Sequence, residues 1–124
     1  MRSLLRYVLP LALLLVASLA EADGPKTALG NWMKQNMGGL MAADPPDYAT
    51  LATNFAIVAK GAPDPKAYPG WADLANKGAA AAKASDKKGV KDACNACHKA
   101  PSTTGAANMK EQYRADPGVP KTFP

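Results

Sequence analysis

Histidine is almost absent from this chain, cysteine is scarce and aromatic side chains are few: its 124 residues hold one His, two Cys, two Trp, four Tyr and two Phe. A single histidine excludes any site built on two imidazole ligands or on a histidine dyad. With the two cysteines it makes up the whole soft-ligand inventory. Alternating runs of β-branched residues are missing as well, so no sheet is predicted. The uncharged run from Tyr7 to Ala20 is 14 residues long and interrupted by Pro10, short of the roughly 20 apolar residues that a membrane span requires. What the chain does have is alanine. Hydrophobic residues make up 48%, inflated by alanine and by the amino terminus. An interior with so few rings is either packed from small helical residues or filled by something that is not protein. This length suits one compact domain.

Arg2 and Arg6 precede the uncharged run, and Ser18 with Ala20, or Ala20 with Ala22, give the small-residue spacing that a signal peptidase reads. Residues 1–22 are therefore expected to be a cleaved signal peptide, and the mature protein to be exported, periplasmic and soluble. Loss of Arg2, Arg6 and Glu21 takes the formal charge from +5 to +4, with 13 basic and 9 acidic residues remaining. Such a charge suits steering towards an acidic partner, and it equally suits a plain solvated surface.

Export sharpens the reading of Cys94-Asn95-Ala96-Cys97-His98. C-x-x-C-H is the attachment motif of c-type haem. On a helix, Cys97 lies about 300° and His98 about 40° round from Cys94, so all three fall within an arc of about 100°. One face can then bond both vinyl groups through thioethers while the imidazole reaches the iron. Ser85 or Asp86 is placed to cap this helix and Pro101 to close it. Three other readings compete with it. A zinc site would have to take its remaining ligands from carboxylates. A redox dithiol wants its first cysteine at a helix N-terminus just after a strand, whereas Gly78 to Ala84 is rich in alanine. A structural disulfide is the third.

Prolines and glycines divide the rest into candidate helices. From Thr27 to about Ala42, Leu29, Met33, Asn36, Met37 and Leu40 share one face, with Thr27 as cap. Asp44-Pro45-Pro46-Asp47 makes a turn and caps a second helix, in which Tyr48, Leu51, Phe55 and Val58 face inward up to Lys60 and Gly61. Ala62 to Gly70 is too rich in proline for regular structure. A third helix runs from about Trp71 to Ala84 with Trp71, Leu74, Ala75, Gly78 and Ala82 inward, and the fourth carries the motif. Pro101 to Pro124 is expected to be irregular apart from a turn of helix around Asn108 to Arg114. The expected fold class is thus all-α, a four-helix bundle with haem bound covalently on its last helix. It comprises residues 1–22 (signal peptide), 23–100 (cytochrome domain) and 101–124 (irregular extension).

Only 26 residues follow His98, so the haem must be enclosed by what precedes it. An exported chain of four helices with C-x-x-C-H on the last resembles the class II cytochromes c, that is, cytochrome c prime and its low-spin four-helix relatives. The resemblance covers roughly Thr27 to His98. Low-spin members place a methionine on the first helix in a pattern like M-K-x-N, and this chain reads Met33-Lys34-Gln35-Asn36; Pro69-Gly70-Trp71 is similar to the family's entry to its third helix. The resemblance implies one haem c (iron) per chain, with Cys94 and Cys97 as attachment points, His98 as proximal ligand and Met33 as distal ligand. Trp32, Met37 and Leu40 are candidates for packing against it. Two features depart from the family. The arginine that can serve a haem propionate is replaced by Leu29-Gly30-Asn31-Trp32, and the aromatic-arginine pair, Tyr113-Arg114, lies 15 residues beyond His98.

The spacing leaves the sixth ligand open among Met33, Met37, Met41, Met109 and no protein ligand. With methionine, the expected function is electron transfer. Without it, the chain would be a five-coordinate binder of nitric oxide or carbon monoxide. No enzyme is expected, because no distal histidine is available for acid/base work, and Asp44 and Asp47 read as turn and cap residues. Lys83, Lys87, Lys88, Lys91 and Lys99 bracket the motif helix, either as a solvated face or as a rim that docks an acidic redox partner protein. No aromatic residues interleave with them, so nucleic acid is not expected, nor is membrane contact after cleavage. The family resemblance also admits a homodimer formed through the first two helices.

Overall fold

The computed structural model of the chain describes residues 27–124. The signal peptide expected at 1–22 lies outside the described residues. Among the described residues the fold is all-α with no strand, and no helix is long and apolar enough to cross a membrane.

The first helical rod has three parts: α1 (Ala28–Met33), a π-helical segment (Lys34–Gly38) and α2 (Gly39–Ala42). The backbone stays right-handed through both junctions, with Lys34 at φ −58°, ψ −42° and Gly39 at φ −64°, ψ −34°. The single helix expected there is present, with a wider turn inside it. Thr27 caps it, its hydroxyl accepting the Gly30 N–H at 3.0 Å. Two amides hold the wide turn: Asn36 Nδ2 donates to the Trp32 carbonyl at 2.9 Å, and Asn54 Nδ2 donates to the Asn36 carbonyl at 2.7 Å from the next helix. Side chains that enter the i→i−4 ladder in this way are a recognised cause of local widening.

Helix α3 (Tyr48–Lys60) starts at Asp47, whose carboxylate accepts the Thr50 N–H at 3.0 Å and its hydroxyl at 2.8 Å. Helix α4 (Trp71–Lys83) follows Gly70, at φ 79°, a left-handed conformation that glycine adopts without strain. Helix α5 (Lys87–Lys99) is capped by Asp86 rather than Ser85, with Gly89 N–H donating at 2.9 Å. A further helix, α6 (Met109–Ala115), is capped by Asn108.

Helix α3 packs on α4, α4 on α5, and α5 on α6, while the π segment and α2 rest on α3. The interior has two buried clusters. One joins Met37, Leu51, Phe55, Ala79, Ala82 and Val90; the other joins Leu29, Val58, Tyr68, Trp71, Met109 and Tyr113. Gly78 permits the close approach of α4 to α3, since a Cβ there would lie 2.6 Å from Phe55 Cδ1. The buried Trp71 indole donates to the Val58 carbonyl at 3.0 Å across the same interface.

The turn of helix expected around Asn108 to Arg114 is present as α6, and it packs against the rest of the fold. Residue 100 is not a boundary in the packing, because Met109 and Tyr113 of α6 are buried in the same cluster as Leu29 and Trp71. The buried Gln112 amide explains how the segment is tied down: it donates to the Ala67 carbonyl at 2.8 Å and to the Thr103 hydroxyl at 3.0 Å, and it accepts the Thr103 N–H at 2.8 Å. Tyr68 Oη adds a bond to Asp116 at 2.7 Å. Burial, with this bond, raises the Tyr68 hydroxyl above the ordinary tyrosine range, while the same bond and the Gly118 N–H lower the Asp116 carboxyl.

Candidate functional site

Cys94, Cys97 and His98 sit in the second half of the 13-residue helix α5. Both cysteines are free thiols and partly buried, and burial raises both. Neither lies at the helix N-terminus, where a dithiol would gain its low pKa. His98 stands at the rim. Partial burial, with Lys110 and Arg114 nearby, holds its imidazole below the ordinary histidine range, and the neutral ring is the form that ligates a metal. Among the described residues, no group of three or more His, Cys, Asp or Glu side chains is disposed to hold a bare ion.

The motif face looks into a cavity of about 520 Å³, within the size range of cofactor pockets. Met33, Met37, Gly38 and Met41 of the first rod form one wall. Leu51, Phe55 and Val58 of α3, with Leu74 and Ala75 of α4, form the floor, and Ala93, Cys94, Cys97 and His98 close it on α5. A Cβ on Gly38 would meet nothing within 4 Å, so the wall has room to spare there. The charged residues in the lining are Lys34, Lys91 and, at the rim, His98 when protonated.

This donor set fits a haem. The walls are overwhelmingly apolar, two thiols lie a turn apart on one side with a single imidazole beside them, and three thioethers stand across the space. Cys94 and Cys97 would hold the group covalently, and His98 would ligate its iron.

A second cavity of about 210 Å³ shares Met33, Cys97 and His98 with the first. Its remaining lining comes from Thr27, Leu29 and Gly30 at the start of α1, from Trp71, and from Met109, Lys110, Tyr113 and Arg114 of α6. Of the candidate sixth ligands, Met33 alone lines both spaces, Met37 and Met41 line the larger, and Met109 lines the smaller.

Of the three candidates for packing, Met37 lines the larger cavity, while Trp32 and Leu40 line neither space. Trp32 packs edge-on against Phe123 at 5.1 Å, and Leu40 lies against the Leu51 cluster. The wider π turn advances the helix by a smaller angle per residue, which keeps a four-residue spacing on one face and brings Met33, Met37 and Met41 to the same wall. The floor residues were legible as the inward stripe of α3 and α4. The α6 residues beside His98 were not, since nothing in the local sequence of the tail reports that it returns to the motif.

Comparison of the chain with protein-family models, with curated proteins and with solved structures gives no match.

Proposed function

We propose that the chain is an exported, periplasmic c-type cytochrome of the class II kind, a four-helix bundle that carries electrons through one covalently bound haem c. The observation that carries this reading is that the C-x-x-C-H face of α5 and Met33 of the first rod line one apolar cavity. Haem, when bound, supplies a one-electron iron couple. Cys94 and Cys97 would tether it as thioethers, and His98 of the motif helix and Met33 of the first rod would ligate its iron; thioether ligation would raise the potential. Phe55, Leu51 and Val58 keep water out. Lys83, Lys87, Lys88, Lys91 and Lys99 are exposed and form the electropositive rim to which an acidic redox partner docks; Lys88 is paired with the exposed Asp92 at 2.6 Å. Complementary charge of this sort acts mainly on encounter rate and falls with salt.

The test is the visible spectrum of protein matured with the haem-attachment machinery. Colour should stay with the polypeptide under denaturing conditions, and its release would refute covalent attachment. The oxidised protein should show the weak far-red charge-transfer band of iron–methionine ligation, and Met33→Ala should abolish it. Survival of the band in Met33→Ala with its loss in Met37→Ala would move the ligand one turn along. Rapid carbon monoxide binding by the reduced protein, with no such band, would replace the carrier reading with a five-coordinate binder of nitric oxide or carbon monoxide.

A further inference from the structure

No aspartate or glutamate lines either cavity, yet the smaller one carries two cations from a single helix. Lys110 and Arg114 are four residues apart on α6, so they leave the same face one turn apart. Both border the space that His98, Trp71 and Tyr113 also line. Arg114 is held in place: its side chain is 28% exposed, and Nη1 donates to Glu111 Oε1 at 3.0 Å, leaving the rest of the guanidinium for another acceptor. Lys110 has no ion-pair partner among the described residues. The face therefore keeps one unmatched positive charge beside a largely apolar space. Such a charge favours an anion with two oxygens, which the arginine fork can grip in parallel.

We propose that Lys110 and Arg114, both supplied by the tail, form a carboxylate-binding site beside His98. The carboxylate has two sources, a propionate of the haem or a free small carboxylic acid, and the first of these rests on the function proposed above. Lys34 and Lys91, on the walls of the larger cavity, make a poorer site: they belong to different helical segments, and neither offers a planar fork.

The experiment measures the reduction potential of the holoprotein against pH, for the wild type and for K110Q/R114Q, R114K and K34Q/K91Q. Removal of two cations from a bound propionate should raise the pH of the break in that profile by about one unit, R114K should recover part of the shift, and K34Q/K91Q should leave the break in place. The second arm follows NMR resonances of the chain, with and without haem, as acetate is added. Saturable shifts in the wild type that vanish in K110Q/R114Q would assign the site to a free carboxylate. An unmoved break together with no acetate response would overturn the proposal, as would a break moved by K34Q/K91Q and not by K110Q/R114Q. Failure to attach haem refutes the function proposed above and leaves the acetate arm to decide the site.

Discussion

Gly78→Ala adds one methyl group at the tightest point between α3 and α4. The new Cβ would stand 2.6 Å from Phe55 Cδ1 and Cζ, about 1 Å inside the separation of 3.5–4.0 Å at which carbon atoms attract. On its core side Phe55 has little freedom to retreat, since it is 5% exposed and is held in the cluster of Leu51, Ala79 and Val90. Its open side is the larger cavity, which it lines. Overpacking of this kind costs about 1–3 kcal/mol. Alanine regains about 1 kcal/mol over glycine in a helix interior, so the net loss should be about 1 kcal/mol. Urea unfolding reads it as a lower midpoint at unchanged slope. Phe55→Leu in the Gly78→Ala background should relieve the overlap, and the double-mutant cycle should return a favourable coupling between the two substitutions. A Gly78→Ala protein about 1 kcal/mol more stable than wild type would mean that only helix propensity had been felt. It would refute the close approach, and with it the position of the ring on the cavity wall.

Asn54→Ala should cost about 1–3 kcal/mol in urea, because it leaves the Asn36 carbonyl without the amide that reaches it at 2.7 Å. An unchanged midpoint would show that the π segment does not depend on this bond. The Tyr68–Asp116 bond gives a pH signature at both ends. Tyr68 is raised in the fold, so its contribution is complete below its ordinary value of 10.0 and is lost as the pH climbs through the raised folded value. Asp116 is lowered, so its contribution is present above its ordinary 3.8 and is lost as the pH falls through the lowered folded value. Urea midpoints should therefore decline on both the alkaline and the acid side, and Tyr68→Phe should flatten both declines. Equal pH dependence in Tyr68→Phe and wild type would separate the two groups.

Much of the architecture was legible because it is set by short-range chemistry. Asp47 and Asp86 mark helix starts, Gly61 marks an end, and the inward stripes of α3 and α4 follow a helical period that any reader of the sequence can count. The Cys94-Cys97-His98 face is likewise a matter of angle per residue. What escaped was set by partners far along the chain. The wide turn at Lys34–Gly38 depends on an amide 18 residues away, so the first helix read as uninterrupted, and Leu40 was placed on a face that it does not share with the cavity. Trp32 found Phe123 at 5.1 Å, a pairing that periodicity cannot announce. The helical turn around Asn108 to Arg114 was legible in the tail, but its docking was not, because Gln112 finds its main acceptor 45 residues back, at Ala67. Tyr113 completes a ring cluster with Tyr68 and Trp71 at centroid separations of 5.3–5.9 Å, which concentrates three of the chain's scarce aromatics beside the second cavity.

The π segment also bears on how this chain tolerates changes in length. A turn closed between residues five apart holds one residue more than an α turn, so Lys34–Gly38 stores a single surplus residue between two stretches of ordinary helix. Gln35 is exposed and makes no side-chain contact with the cavity. Its deletion would turn the rod into one continuous α-helix and draw α2 back by one residue's rise, while Met33 kept its place. The first helix thus carries its own spare length, in a segment that begins just after Met33 and contains Met37.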